Sequence, residues 1–260
     1  MTGYHERAPF YRSEFGTRDD FPLLARLLAG PGGLVADVPS GAGRLLPVHQ
    51  GHGRQVIMVD IEPSMIAQCQ LAATAAGLAA RVSGVCGDIT TWRAPKPAAR
   101  VVVARGGLQM LPTQQAITQA LKVSAANLAP AGLLYLDVAM PWTITPPATA
   151  HVAPFLRFTN GTRLEGHGCI QASGMRIRRS YVSTLLPGRV TVHFRYEADG
   201  AAAEGWRDFE ADATWLRVEA ARVTSTLESS GLTVLSTLGD YTGTPYTPGS
   251  ARFICIAAAQ

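Results

Sequence analysis

Cysteine is scarce in this chain of 260 residues: it stands only at positions 69, 86, 169 and 255, and no two form a C-x-x-C pair. That scatter argues against a zinc site or a disulfide framework and fits reduced thiols in a cytoplasmic protein. Lysine is rarer still, since all but Lys96 and Lys122 of the 23 basic residues are arginine. The only adjacent basic pair is Arg178-Arg179, so a formal charge of +4 does not indicate a nucleic-acid partner. No run of about 18 apolar residues escapes a charge or a breaker, which predicts no transmembrane helix and no membrane partner. The first residues, with Tyr4, His5, Glu6 and Arg7, carry no apolar core of a secretory signal. What is abundant is hydrophobic side chain, 47% of the chain. This is enough for the core of one large domain, or of one domain with an elaboration.

The stretch from Leu34 to Met65 organises the rest. It reads as a strand, a glycine loop Ser40-Gly41-Ala42-Gly43, a helix, a second strand through Val56-Ile57-Met58-Val59, and a carboxylate, Asp60, at that strand's end. This is half of a mononucleotide-binding α/β unit, and ligands of open α/β sheets bind at the carboxyl edge where Asp60 emerges. A carboxylate there accepts hydrogen bonds from a ribose diol, and glycines without Cβ let the backbone approach the ligand. A phosphate-binding Walker loop is excluded because no Lys follows the glycines. A dinucleotide fingerprint lacks its third glycine, since Leu46 stands there. Asp37, just before the loop, would repel a pyrophosphate but suits a sulfonium and an ammonium. The electrostatics lean towards S-adenosylmethionine.

With these residues in place, the chain resembles the class I S-adenosylmethionine-dependent methyltransferases over essentially its whole length. The family's first motif, an acid followed by G-x-G-x-G, falls on Asp37 to Gly43, with Gly41 and Gly43 matching and Pro39 in place of the first glycine. Proline fixes φ at about −65°, so the turn is expected to be stiffer than usual. The second motif falls on Val59 to Met65 and the third on Cys86-Gly87-Asp88-Ile89. The resemblance implies a doubly wound, seven-stranded, mostly parallel α/β sheet. It implies a cofactor site built from Asp37, Pro39, Gly41, Gly43, Asp60, Ile61, Met65, Asp88, Ile89 and Arg105. Asp88 would meet the adenine amine and the backbone of Ile89 a ring nitrogen, although Asp88 could instead cap a turn before Thr90-Thr91. An N-terminal leader would fold over the cofactor as a lid, with Tyr11 and Arg18 towards the methionine carboxylate. The bland alternative is an arm that packs its aromatics on the surface.

The remaining chain divides by pattern. Residues 1–30 form the leader and a helix from Phe21 to Leu28, and residues 31–142 the cofactor-binding core. Its expected parts include a helix from Ser64 to Gly77 capped by Ser64, strands at Arg81–Val85 and Arg100–Ala104, and a fifth strand at Leu133–Val138. Residues 143–212 alternate in polarity, with Pro187-Gly188 as a hairpin turn, and read as three to five antiparallel strands inserted after the fifth strand. A helix from Trp215 to Ser229 and two final strands fill 213–260. The back half resembles small-molecule methyltransferases, especially those acting on amines and sugar amines, in which such an insertion caps the pocket. That resemblance implies substrate contacts from Gln109, Trp142, Tyr241 and Tyr246. The position where many relatives carry a histidine is Met110, which cannot serve as a base. Catalytic candidates, on resemblance alone, are Asp137, His167 and Tyr241, with His151 and Glu165 behind them. No metal ligands of the catechol type have a match. The arginine-rich insertion could read an anionic substrate group, with plain solubility the stronger alternative. The expected function is N- or O-methylation of a small molecule, in secondary metabolism such as antibiotic biosynthesis, with a homodimer as an open assembly. The alternatives are a cyclisation or rearrangement assisted by the bound sulfonium, or a binding protein without catalysis.

Overall fold

The apolar runs become buried parallel strands. In the computed structural model, which describes residues 3–30, 32–141, 163–172, 175–199 and 208–260, β1 (Leu34–Asp37), β2 (Gln55–Asp60), β3 (Val82–Cys86), β4 (Ala98–Val103) and β5 (Leu128–Ala139) run parallel. Every residue of β2 after Gln55 is buried, as expected for a strand covered on both faces. An antiparallel block follows: β6 (Arg163–Ala172), β7 (Met175–Leu186), β8 (Arg189–Asp199) and β9 (Phe209–Leu216). The last strands are β10 (Leu232–Leu238) and β11 (Arg252–Ala259). The main sheet has the order β10-β11-β5-β4-β1-β2-β3, with β11 antiparallel to both neighbours, and the second sheet the order β6-β7-β8-β9. This is the doubly wound sheet that the resemblance implies, and the insertion, expected to hold three to five antiparallel strands, has four among the described residues.

Helices cover both faces of the main sheet. On one lie α3 (Phe21–Leu28), α4 (Leu46–Gln50) and α5 (Pro63–Ala75), packing Leu24, Leu28, Leu46, Cys69 and Ala73 onto Val35, Val56 and Met58. On the other, α6 (Gln114–Ala126) and α7 (Ala220–Ser229) bring Ile117, Leu121, Val223 and Leu227 against Val101, Val103, Leu134 and Leu136. Two single-turn helices precede these, α1 (Tyr4–Arg7) and α2 (Tyr11–Glu14).

Several local expectations shift. Helix α5 is capped by Glu62, not Ser64: its carboxylate accepts from the Ser64 backbone N–H at 3.2 Å and from Ser64 Oγ at 2.8 Å. Strand β5 begins at Leu128, with the residues before Leu133 looped out of register, since Ala98 pairs Leu128 and Arg100 pairs Leu133. Ala131 adopts φ 57° there. Trp215 belongs to β9 and not to a helix. Ala211, Ala213 and Trp215 turn inward as a strand's alternate residues, and the helix starts only at Ala220. The cap sheet thus runs past 212 to Leu216.

The inner face of the cap is aromatic and aliphatic: Ile177, Tyr181, Val190, Val192, Phe194, Tyr196 and Trp215, with Phe10 of the arm packed among them. Met110 and Phe15 pack against the same cluster. The cap therefore closes over the N-terminal arm and the loop after β4. Among the described residues no helix is long and apolar enough to cross a membrane.

Candidate active site

The carboxyl ends of β1, β2 and β4 meet at one edge, and the loops there carry most of the polar residues singled out above. Asp60 ends β2. Its Oδ2 accepts from the Gly41 N–H at 2.8 Å and its Oδ1 from the Glu62 N–H at 3.0 Å. Burial pushes its pKa up, and those two backbone donors oppose the shift. An ionised carboxylate offers about four lone-pair sites, so Asp60 braces the glycine loop and still has acceptor capacity for a diol. Gly41 sits at φ 54°, and a Cβ there would lie 3.3 Å from Tyr11 Cε1. Gly107 approaches Pro39 so closely that a Cβ would lie 2.6 Å from the ring. The proline that departs from the family motif is thus seated on the loop after β4, and the Val38–Pro39 peptide is cis.

Asp37 is buried, and its Oδ2 lies 3.1 Å from His49 Nε2. Asp88 follows β3. Its Oδ1 accepts from both the Thr90 N–H and Thr90 Oγ1 at 2.7 Å, so one oxygen caps the turn, as the alternative reading held, and the other carries no hydrogen bond from a described residue. Ile89 is buried, whereas Ile61, directly after Asp60, is 66% exposed. Gly87 N–H donates to the Asp60 carbonyl at 2.9 Å and ties the two strand ends together.

The arm lies on this edge. Tyr4, Ala8 and Tyr11 cluster with Ala42 of the glycine loop and Met65 of α5, so Met65 is buried in the arm's contact. Burial pushes the Tyr4 and Tyr11 phenols up, keeping both neutral. Tyr4 Oη lies 3.9 Å from Met110 Sδ. Arg18, expected with Tyr11, is not brought here. Its guanidinium lies 6.0 Å from the Phe21 ring and lines an outer groove of about 860 Å³ with Arg12 and Leu71, because the chain turns away at residues 16–18 before α3. Arg44 joins the arm to the loop instead, donating to both oxygens of Asp20 at 2.8 and 2.6 Å.

Beneath the arm lies a saturated network. Asp137 Oδ1 accepts from Arg252 at 2.7 Å, and Oδ2 accepts from Tyr135, Tyr241 and the Arg105 N–H, each at 3.1 Å. Burial would raise the Asp137 pKa, but the charges of Arg252 and Arg105 outweigh it and hold the pKa below the ordinary value. The Arg105 side chain contacts Asp19 and Asp20 of the arm and lies over the Tyr241 ring at 5.0 Å.

Three expected catalytic roles are therefore corrected. Asp137 is an acceptor with both oxygens occupied. Tyr241 donates to it, and burial pushes its phenol well above the usual value, so it is not a base. His167 and Glu165 are exposed, on the face of β6 opposite Gly166, Gly168 and Ile170, which turn towards the inner side. Gln109, expected on the substrate, is a fully buried strut. Its amide accepts from the Ala139 N–H at 2.8 Å and donates to the carbonyls of Ala139 and Leu216 at 3.0 and 3.2 Å, pinning the 3-10 turn Gly107–Met110 to β5 and β9. Tyr246 packs edge-on against Phe253 at 4.9 Å. Trp142 and His151 lie outside the described residues.

A cluster not singled out from the sequence lies between arm and cap. Glu14 accepts from Arg7 at 3.2 and 3.3 Å, from Arg179 at 3.0 Å and from Tyr196 Oη at 2.6 Å. Rings of Tyr4, Tyr11, Phe15, Phe194 and Tyr196 surround the Arg7 guanidinium at 5.0 to 5.6 Å. Arg7 and Glu14 are both on the arm, but the cap partners of Glu14, Arg179 and Tyr196, lie 165 and 182 residues along the chain, which local spacing does not announce. Among the described residues no cluster of three His, Cys, Asp or Glu could hold a metal ion.

Residues 35–132, from β1 into β5, match the family model of the methyltransferase domain. No curated protein matches the chain in sequence. Among solved structures, the CcbJ methyltransferase from Streptomyces caelestis superposes with a TM-score of 0.75 at 17% identity, covering 100% of this chain and 99% of its own. The sugar N-methyltransferase KedS8 from a Streptoalloteichus species gives 0.72 at 16% identity, covering 96% and 91%. CalS10, an amino pentose methyltransferase of calicheamicin biosynthesis from Micromonospora echinaspora with S-adenosylmethionine bound, gives 0.68 at 18% identity, covering 96% and 94%. At these identities the superpositions carry the fold, including the antiparallel cap, and the match of residues 35–132 carries the domain.

Proposed function

We propose that this chain, a class I S-adenosylmethionine-dependent methyltransferase, methylates a nitrogen of a small molecule held between the N-terminal arm, the loop after β4 and the cap. The cofactor, when bound, supplies a methyl carbon activated by the sulfonium; the new N–C bond forms as the S–C bond breaks, and the surplus amine proton goes to solvent. The chain's own part is to bind, orient and exclude water. Orientation alone can lower such a barrier by roughly 7–11 kcal/mol. Asp60 is assigned to the ribose diol, Asp88 and the backbone of Ile89 to the adenine, and Asp37 to the methionine end. Gly41 and Gly43 give close backbone approach, with Ile61 as a shelf under the base.

One observation carries the choice of nitrogen. Among the described residues none of the candidates is placed as a general base: Asp137 and Tyr241 are taken up by the buried network, and His167 and Glu165 lie on the exposed face of β6. A hydroxyl acceptor needs a base to become nucleophilic, whereas an amine keeps a neutral fraction with its own lone pair. The rings of Phe15, Phe194 and Tyr196, in one cluster with Met110, would give the acceptor an apolar wall. The superposed sugar N-methyltransferase and amino pentose methyltransferase make amino sugars the first acceptors to try, and secondary metabolism the expected setting. The free thiols of the described residues suit a cytoplasmic site of action.

The test is S-adenosylhomocysteine release from purified protein with paired acceptors, each amine against the alcohol of the same skeleton. Turnover of amines with none of the matching alcohols is expected. Turnover confined to alcohols refutes nitrogen transfer. Product formation without S-adenosylhomocysteine would favour a cofactor-assisted rearrangement.

A further inference from the structure

The acid before the glycine loop has a built support. Three groups run in line from the surface to Asp37. The backbone N–H of Arg54 donates to His52 Nδ1 at 3.2 Å, His52 Nε2 lies 3.0 Å from His49 Nδ1, and His49 Nε2 lies 3.1 Å from Asp37 Oδ2. The first of these fixes the rest. A backbone N–H can only donate, so His52 Nδ1 is an acceptor and the proton of the neutral ring sits on Nε2. That proton points at His49 Nδ1, which must accept. The His49 proton is then on Nε2 and is donated to Asp37. Burial, with the neighbouring guanidinium groups of Arg54 and Arg81, pushes the His52 pKa down to about 4, in keeping with a neutral ring. The chain thus delivers a hydrogen bond through His49 to Asp37.

Burial first, and with it the Asp37 carboxylate at the floor of the glycine loop, push up the pKa values of Asp60 of β2 and Cys69 of α5. One Asp37 oxygen is held by His49, and Oδ1 carries no hydrogen bond from a described residue. Nothing else in the site needs His49: it sits on α4, with its side chain fully buried.

We propose that His49 is a positioning residue for the cofactor, holding the Asp37 carboxylate in a single orientation for the ammonium of the methionine moiety. The inference rests on the assignment of Asp37 to that end of the cofactor. It is tested by calorimetric binding of two ligands, S-adenosylhomocysteine and 5′-methylthioadenosine, the second lacking the amino-acid portion. The His49→Leu variant is expected to bind S-adenosylhomocysteine about tenfold more weakly and 5′-methylthioadenosine as the wild type does. His49→Gln, which keeps an N–H donor, is expected to recover most of the loss. In an Asp37→Asn background, His49→Leu is expected to add little. Equal weakening of both ligands means a merely structural role and overturns the proposal, as does no change in either. If His49→Leu does not fold, the Gln variant decides: near wild-type binding of both ligands supports the donor role, and parallel loss of both overturns it. A wild type that binds neither ligand overturns the cofactor assignment itself, and this role with it.

Discussion

Replacing Arg252 by Met separates a structural Asp137 from a catalytic one. Asp137 lies within the sheet edge, and Arg252 donates to it at 2.7 Å from the neighbouring strand β11. Removing one partner of a buried ion pair costs about 3–5 kcal/mol, because the other charge is stranded. Three further donors to Asp137, from Tyr135, Tyr241 and the Arg105 N–H, remain and place the expected loss at the lower end, about 3 kcal/mol. The pH dependence has a defined sign. In the wild type the folded pKa of Asp137 is depressed, so its contribution is complete above the ordinary carboxylate value of 3.8 and is lost only as pH falls through the lower folded value. In Arg252→Met burial dominates and the folded pKa rises above the unfolded one, so the destabilisation is full at neutral pH and shrinks as pH falls towards 4. Urea unfolding of wild type, Arg252→Met, Asp137→Asn and the double variant at pH 7 and pH 4.5 measures all of this, with the double variant expected to recover part of the loss. If Asp137→Asn abolished turnover while unfolding within about 0.5 kcal/mol of wild type, the structural reading would be refuted and the carboxylate restored as a candidate base.

The Asp60→Ala change removes the acceptor assigned to the ribose diol. At about 1.5–3 kcal/mol per hydrogen bond to a charged group, S-adenosylhomocysteine binding should fall at least about a hundredfold by calorimetry, and a folded variant that binds within threefold would contradict the assignment. Gln109→Leu leaves the Ala139 N–H and the Ala139 and Leu216 carbonyls without their side-chain partner; a loss of about 2–4 kcal/mol in chemical unfolding is expected, and a stable variant with altered acceptor choice would return Gln109 to the substrate. Gly107→Ala places a methyl 2.6 Å from the Pro39 ring and should cost about 1–3 kcal/mol; Pro39→Gly in the same chain should relieve it, and additive losses in thermal unfolding would count against the contact.

The fold was legible wherever one period dominated the chain. The run Val56 to Val59 could only be a buried strand, and Asp60 had to end it; the hairpin at Pro187-Gly188 was equally plain. Trp215 was misjudged because a helical spacing and a strand's alternation overlap at that point, and burial of Ala211, Ala213 and Trp215 on one face decided for the strand. The start of β5 was obscured by Ala129-Pro130-Ala131-Gly132, which reads as a turn and is in fact an excursion inside a strand. The arm's contact with the glycine loop through Tyr11 agrees with the resemblance, whereas Arg18 lies by Phe21 and Arg44 ties the arm to the loop through Asp20, a pairing that local spacing does not announce.

What separates site from scaffold at this sheet edge is spare hydrogen-bonding capacity, and sequence does not display it. Asp37, Asp60, Asp88 and Asp137 all stand near strand ends, and by residue type they are equivalent. In the fold, Asp137 receives four donors, two from phenols, one from a guanidinium and one from the backbone, and has nothing to offer a ligand. Asp60 receives one donor on each oxygen, Asp88 two on a single oxygen and Asp37 one. The same sorting moves Gln109 from the substrate to the frame. An unmet acceptor at a water-accessible edge costs little before a ligand arrives, whereas one buried beneath the sheet would cost about 1–3 kcal/mol. The fold therefore saturates Asp137 and leaves acceptor capacity on Asp37, Asp60 and Asp88. On that ground the proposed cofactor contacts fall to the three carboxylates with capacity to spare, and the saturated one is read as support.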